Sequence, residues 1–134
     1  MKPEIATVLA FAAAPIVPAL GYSVAWYRAG LVSATSALEL SFGFYYFSAI
    51  VMIVLAVPLA FVLRHFNLAR WWTAILGGFS IGLIVAVVED WRPGGSPLLH
   101  GDPATIRAAI MNVALGALAG LVFWLIWKQG EDTV

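Results

Sequence analysis

The chain has 134 residues, of which 63% are hydrophobic and only 10% are charged, and its formal net charge is zero. A neutral chain without a long basic run lacks the charge that would attract nucleic acid or a strongly anionic surface. Cysteine is absent, which excludes disulfides, thiolate metal sites and thiol redox chemistry within the chain.

Four stretches of the chain contain no charged residue, and each is close to the length of a membrane span. They are residues 5–26, 42–63, 71–88 and 108–127. A helix that rises about 1.5 Å per residue needs about 20 apolar residues to cross the hydrocarbon of a bilayer. We therefore predict an all-α integral membrane four-helix bundle, folded as a single transmembrane domain across residues 1–134.

The first two spans contain prolines away from their ends. Pro15 and Pro18 lie near the middle of the first span, and Pro58 lies toward the end of the second. Each proline deletes one helical hydrogen bond and frees a carbonyl group. Kinks are expected at these positions, where they would serve either as hinges or solute paths, or as ordinary kinks that neighbouring groups satisfy. Because Trp26, Tyr27 and Arg28 end the first span, we predict a retained span instead of a cleaved signal peptide.

The connections between the spans carry the information on orientation. Residues 27–41 mix serines with leucines, which favours a short segment along the membrane surface. The next connection holds Arg64 and Arg70 without an acidic residue. Such a loop is typical of the cytoplasmic side, and with four spans both termini are then cytoplasmic too. These two arginines could also bind lipid phosphate.

The third and fourth spans each carry two glycines four residues apart, namely Gly78 with Gly82 and Gly116 with Gly120. Small residues at this spacing let two membrane helices approach closely. In an antiparallel pair the two faces meet at similar depth, which predicts a tight contact with Ser80 and Ala119 at or beside the crossing. Asn112 lies on the same face of the fourth span, where we expect it to form a hydrogen bond between helices.

The second outer connection is the most polar part of the chain and contains adjacent acids beside a tryptophan. Its chemistry-bearing residues are Glu89, Asp90, Trp91, Arg92, His100 and Asp102. Carboxylates and an imidazole suit a divalent cation, but their spacing matches no metal motif, so we assign no metal site. We expect this loop to bind a protein partner. Asp102 can cap a last helix that begins near Pro103.

Several short motifs resemble those of small uncharacterised four-span inner-membrane proteins of Gram-negative bacteria. They are Pro58 with the segment 61–64, the segment 70–72 and the aromatic segment 123–127. This resemblance implies a location in the bacterial inner (plasma) membrane and no activity. Length and span count are also similar to those of the small multidrug resistance transporters, but those have a glutamate inside the first span, whereas Glu4 lies at its edge here.

The spans hold no nucleophile, acid pair or metal ligands that converge, so we predict a protein that is not an enzyme and uses no cofactor. The expected function is a partner-binding membrane protein, either an accessory subunit of a membrane complex or an immunity-type protein. The alternative is a small homodimeric channel or transporter for a small solute. In that alternative Pro15, Pro18 and Asn112 line the path.

Overall fold

The described part of the protein is built from helices. The computed structural model describes residues 2–66, 70–90 and 103–131, and no strand occurs among them. The elements are α1 (Pro3–Ala13), α2 (Ile16–Arg28), α3 (Ala34–Val51), a π-helical turn (Met52–Ala56), α4 (Val57–His65), α5 (Trp71–Asp90) and α6 (Pro103–Glu131).

Four helical segments are long and apolar enough to cross a membrane, as those of an integral membrane protein are. They run from Glu4 to Arg28, from Ala34 to Val62, from Trp71 to Val88 and from Pro103 to Gly130. The predicted all-α architecture with four spans is therefore confirmed. The last helix begins at Pro103, as the sequence predicts, because proline is favoured at the first position of a helix.

The prediction of a surface segment over residues 27–41 is wrong, since α3 already begins at Ala34. Ser33 caps this helix: its hydroxyl accepts a hydrogen bond of 3.2 Å from the backbone N–H of Ser36. A serine cap satisfies one of the unpaired N–H groups at a helix start. The second span therefore extends by two turns beyond the charge-free stretch, and Glu39 lies within α3.

The turn between the first two spans ends α2 with a Schellman motif. The N–H of Leu31 donates to the carbonyl of Trp26 (3.1 Å), and the N–H of Gly30 donates to that of Tyr27 (3.0 Å). Gly30 has φ +71°, a left-handed conformation that glycine adopts without steric cost. This short turn makes the first two spans antiparallel neighbours.

The prolines of the first span divide it into α1 and α2. Pro15 is fully buried, and the break at residues 14 and 15 leaves the carbonyl of Ala12 to accept a hydrogen bond of 3.1 Å from the Tyr45 hydroxyl of α3. A side chain of a neighbouring span thus satisfies backbone at the break, as low-dielectric surroundings require.

The second span is interrupted at its centre by the π-helical turn. There the N–H of Val57 donates to the carbonyl of Met52, five residues earlier. The turn ends two residues before Pro58, whose missing N–H removes a normal helical hydrogen bond. Wider turns of this kind commonly bend helices and occur often at functional sites.

The four spans pack in a ring in which some neighbouring spans contact each other far more than others. The first span contacts the second through α2 and α3 and the fourth through α1 and α6, and α5 packs along α6. Fully buried Ala6, Ala10 and Ala14 form a small-residue stripe on the first span. The second and third spans touch mainly through the π-helical turn, and within the described residues α3 makes no extensive contact with α5 or α6.

Glycines bring the backbones of α5 and α6 together. A Cβ atom placed on Gly78 would collide with the carbonyl oxygen of Gly116, and one placed on Gly120 would collide with that of Ala74. A Cβ on Gly82 would lie 2.9 Å from the Cα of Val113. Any side chain at these positions would therefore force the two helices apart.

The expected place of Ser80 at this crossing is wrong. Ser80 is exposed, and its hydroxyl donates back to the carbonyl of Leu76 (2.8 Å) within its own helix. Two residues correspond to about 200° around a helix of 3.6 residues per turn, so the residue midway between Gly78 and Gly82 lies on the opposite face. Ala119 is buried, at 9% exposure, on the contact side.

Candidate functional site

A cavity of about 740 Å³ lies between the four spans, and every span contributes to its lining. Pockets for small molecules commonly measure about 300 to 1,000 Å³. The cavity is partly open instead of enclosed. It is therefore large enough to hold a small organic molecule.

The cavity extends along most of the bundle. On α6 its lining begins at Ala108 and ends at Trp127, which corresponds to about 28 Å of helix at the rise of an α-helix. The opposite ends are marked by Trp26 and Leu40 on one side and by Arg70 and Phe61 on the other. Its length is thus comparable to the hydrocarbon thickness of a bilayer, about 30 Å.

The lining combines small residues of α5 and α6 with large aromatic residues of the first, second and fourth spans. The small residues belong to α5 and α6: Ala74, Gly77, Gly78, Gly82, Gly116, Ala119 and Gly120. The aromatic residues are Phe11, Tyr22, Trp26, Phe44, Phe47, Phe61, Phe123, Trp124 and Trp127. The glycines at positions 78, 82, 116 and 120 also form the close contact between α5 and α6, so this pair of helices supplies a continuous wall with few large side chains along the contact.

Aromatic contacts hold the first span to its neighbours around the cavity. The rings of Phe11 and Phe123 meet edge to face with centroids 4.9 Å apart. Phe44 packs against Tyr22 at 5.1 Å and against Trp26 at 5.9 Å. Such pairs each add about 0.5 to 1.5 kcal/mol beyond the burial of their area, so these side chains give the cavity fixed walls.

A hydrogen-bonded serine pair also joins the first and second spans. The hydroxyl oxygens of Ser23 and Ser41 lie 2.8 Å apart, and the Ser23 hydroxyl donates to the carbonyl of Ala19 (2.9 Å). Ser23 is buried, with 3% exposure. Polar contacts between spans stabilise membrane helices by about 0.6 to 2 kcal/mol, which fixes this side of the ring.

Few polar groups line the cavity. They include Thr7, Tyr22, Ser48, Thr73 and Asn112. Asn112 is 4% exposed and lies on α6 where that helix meets Gly82 of α5. Its amide adds a buried polar group to a lining in which apolar side chains predominate, and scattered polar groups of this kind are typical of pockets that orient a ligand.

Charge is confined to one end of the cavity. Among the described residues of the lining, Arg70 is the sole charged side chain. It precedes α5, and its backbone is fixed by Thr73: the N–H of Arg70 donates to the threonine hydroxyl oxygen (3.0 Å), and the hydroxyl donates to the Arg70 carbonyl (2.7 Å). The side chain of Arg70 is exposed and is not needed for this cap.

A second cation lies at the same end of the bundle. Lys128 places its Nζ atom 5.1 Å from the centre of the Trp124 ring, within the range of a cation–π interaction. Trp124 lines the cavity. The end of the cavity nearest Arg70 thus combines aromatic surface with positive charge.

The structure brings several predicted residues to this cavity. Pro15, Pro18, Asn112 and the four glycines of the helix pair all contribute to its lining. Pro58 does not line it and is exposed, so the structure separates this residue from the predicted path. Pro58 lies two residues after the π-helical turn, and a hinge there remains our interpretation.

The predicted partner-binding loop falls largely beyond what can be described. Trp91, Arg92, His100 and Asp102 lie outside the described residues. Glu89 and Asp90 end helix α5. The loop therefore remains a sequence-based prediction.

Sequence reasoning missed the contribution of the second span to the cavity. Gly43, Phe44 and Met52 all line it, although none of these three residues was expected to form a site. Gly43 has no atom within 4 Å of where its Cβ would lie. A lone glycine in an apolar run was the available signal, but an unpaired glycine does not reveal which helix, if any, it faces.

Comparisons with known proteins leave the geometry as the main source of information on function. No protein-family model, curated protein sequence or solved structure matches this chain.

Proposed function

We propose that the protein is a small membrane carrier that binds a small, mostly apolar molecule between its four spans. The observation that carries the proposal is the cavity of about 740 Å³ with walls from every span. Pro15, Pro18 and Asn112, which the sequence suggests as parts of a solute path, contribute to its lining. A single chain supplies these walls, so the proposal does not need a dimer.

The lining favours an apolar solute over an ion. A path for ions replaces the hydration shell with closely placed oxygen atoms or with charged rings. Here aromatic and aliphatic side chains dominate the walls, and the polar groups are scattered along them. A molecule with a large apolar body and one or two polar groups matches this distribution.

The incomplete ring of helices supports lateral access to the cavity. We define the α3–α5 seam as the gap lined by Leu40, Gly43 and Phe47 on α3 and by Ile81 and Val85 on α5. Since α3 makes no extensive contact with α5 within the described chain, a lipid-soluble molecule could enter here from the bilayer.

The proposal includes a location but no catalysis. The resemblance to four-span proteins of Gram-negative bacteria and the basic connection at Arg64 and Arg70 support the bacterial inner membrane, with cytoplasmic termini. Binding and release of a solute require no bond to be made or broken, and we therefore infer that the protein is not an enzyme.

Quenching of tryptophan fluorescence tests this function. Purified protein in lipid nanodiscs, with Phe in place of Trp71, Trp72 and Trp91, keeps the three tryptophans that line the cavity. The probe is a dibrominated alkane, which quenches indole on contact. We expect saturable quenching in the parent protein and loss of the saturable part in Gly43→Leu, because the added side chain would fill open space at the cavity wall.

The matched control for this experiment is Ala114→Leu, which adds bulk to an exposed residue of α6 that does not line the cavity. We expect its quenching curve to equal that of the parent. Quenching that rises linearly with the probe and is identical in both variants would show that the alkane meets the tryptophans only through the lipid, and would reject the carrier function.

A partner-binding role is the second candidate, favoured by the adjacent acids Glu89 and Asp90 at the end of α5. In this case the protein is an accessory subunit or an immunity-type protein. Crosslinking in native membranes should recover a stoichiometric partner joined to the loop between Glu89 and Asp102. Replacing both acids with lysine should abolish the crosslink, whereas an undiminished yield from the double variant would contradict this role.

A further inference from the structure

We infer that the cavity binds a single-chain amphiphile with an anionic headgroup, whose headgroup lies at Arg70 and whose chain extends along the aromatic walls toward Phe44. This inference rests on the proposed carrier function and specifies the class of its solute. It follows from the uneven distribution of charge, from the length of the cavity and from the nature of its walls.

Charge complementarity determines the headgroup. Arg70 is the one charged residue of the described lining, and no described acidic side chain contributes to it. The guanidinium group offers a fork of N–H donors that matches carboxylate or phosphate oxygens in a bidentate geometry. Lys128, held over Trp124, adds positive potential at the same end.

Exposure makes Arg70 available for a ligand. Its side chain is exposed, and the hydrogen bonds that fix residue 70 involve its backbone and Thr73. Glu4, an acid of α1 at this end of the bundle, is exposed and does not line the cavity. The guanidinium group is therefore positioned at the mouth without an internal carboxylate on the cavity wall.

The shape of the cavity determines the tail. Its lining follows α6 for about 28 Å, from Trp127 to Ala108, and a cavity of this length favours a long molecule. From the Arg70 end, the walls pass Phe123 and Phe11 and then reach Phe44 and Tyr22. An acyl chain lying along these rings would keep apolar contact over its whole length.

The π-helical turn contributes one flexible side chain to the lining of the cavity. Met52 begins the turn and lines the cavity. Methionine is unbranched and polarizable, so it adapts to apolar ligands of variable shape. Met52 can therefore follow the methylene groups of a flexible acyl chain.

The test compares charged and uncharged probes that share one acyl chain. Palmitate, lysophosphatidate with a palmitoyl chain, and methyl palmitate compete with the dibrominated alkane for the purified protein in nanodiscs, and inorganic phosphate is the probe without a chain. We expect both anionic amphiphiles to displace the alkane about tenfold better than the methyl ester, as a charge-assisted hydrogen bond provides.

Two arginine variants identify the headgroup site. Arg70→Gln should bind the anionic probes about as weakly as the methyl ester, and Arg70→Lys should recover part of the preference. The control is Arg107→Gln, which removes the same charge from an exposed residue of α6 that does not line the cavity. It should behave as the parent protein does.

The outcomes separate this inference from the function on which it rests. Equal displacement by palmitate and its methyl ester in the parent protein would overturn the anionic headgroup while leaving the carrier function intact. Loss of preference in Arg107→Gln as well as in Arg70→Gln would overturn the assignment to Arg70. If inorganic phosphate displaced the alkane and the amphiphiles did not, the site would bind phosphate without a tail, and the inference would be overturned. If none of the acyl-chain probes bound and the quenching by the alkane were linear, the carrier function itself would be rejected.

Discussion

The third and fourth spans differ sharply from the second in how they are held. Helices α5 and α6 meet backbone to backbone at Gly78 and Gly116. The second span has large side chains directed outward, with Phe42 and Tyr46 each more than 70% exposed, and it is interrupted by a π-helical turn. Both segments are strongly apolar, so hydrophobicity alone does not determine which helices pack tightly.

The lipid surroundings explain why α5 and α6 pack more tightly than the second and third spans do. Within lipid, burying a leucine against another helix gains little, because the lipid tails are equally apolar. Helices associate where small residues permit close backbone contact, and these lie on α5 and α6. The second span lacks a comparable stripe toward α5, and the space left between them contributes to the cavity.

Disrupting the glycine contact should have the largest effect on stability. Gly78→Leu would place a side chain against the backbone of Gly116. Backbone atoms within a helix cannot rotate out of the way as a flexible side chain can. We expect the free energy of unfolding to fall by about 3 kcal/mol or more, since overpacking a rigid contact is costly. Thermal unfolding in detergent, followed by circular dichroism, measures the change.

The matched control is Gly43→Leu in the second span, which makes the same substitution where no atom lies within 4 Å of the new Cβ. Its stability should equal or exceed that of the parent, because leucine favours helix more than glycine does by up to about 1 kcal/mol. If the two variants melted at the same temperature, the contrast between the two regions would be wrong.

Pro58→Ala should have a smaller effect and shows whether the π-helical turn depends on the proline. The new N–H can donate a normal helical hydrogen bond, so we expect greater stability, by less than the roughly 3 kcal/mol that proline costs in an ordinary helix. Hydrogen exchange at Met52–Ala56 should slow. Pro3→Ala is the control, since Pro3 lies at the start of α1, where proline interrupts nothing. If hydrogen exchange were unchanged in Pro58→Ala, the π-helical turn would be caused by its contact with α5 and not by the proline.

The smallest effect is expected from Tyr45→Phe, which tests how the second span is held to the first. The variant loses the hydrogen bond to the Ala12 carbonyl, which should lower the free energy of unfolding by about 0.6 kcal/mol. Chemical unfolding in mixed micelles can resolve this difference. Tyr46→Phe removes a hydroxyl from a ring that is 74% exposed, and it should have no effect; equal losses in both would contradict a role for the Tyr45 bond.

The architecture could be predicted because charges are so costly in hydrocarbon that their absence marks the spans. The glycine contact could be predicted for a similar reason: Gly78 with Gly82, and Gly116 with Gly120, have the four-residue spacing that places small residues on one helix face. Both features depend on local sequence alone. The start of α3 was missed because a serine cap, at Ser33, determines it and charge does not.

The cavity could not be predicted in the same way. It depends on which side of the α5–α6 pair the first span occupies. The stripe of Ala6, Ala10 and Ala14 predicts a close helix contact but does not indicate which span makes it. In the sequence, Arg70 likewise resembles an ordinary loop arginine. Only the packing of α5, α6 and the second span places it at the cavity mouth. Ser80 was misplaced because its depth in the membrane was considered without its angle around the helix.

Entry through the α3–α5 seam determines which concentration of the ligand controls binding. A molecule that enters through the seam has already left water, so its occupancy depends on its mole fraction in the lipid and not on its aqueous concentration. Its tail exchanges one apolar environment for another, and each methylene group adds little of the roughly 0.8 kcal/mol that transfer from water would provide. Selection among lipid-soluble molecules must then come from the headgroup and from fit to the aromatic walls, and lengthening the chain should change partitioning far more than it changes recognition.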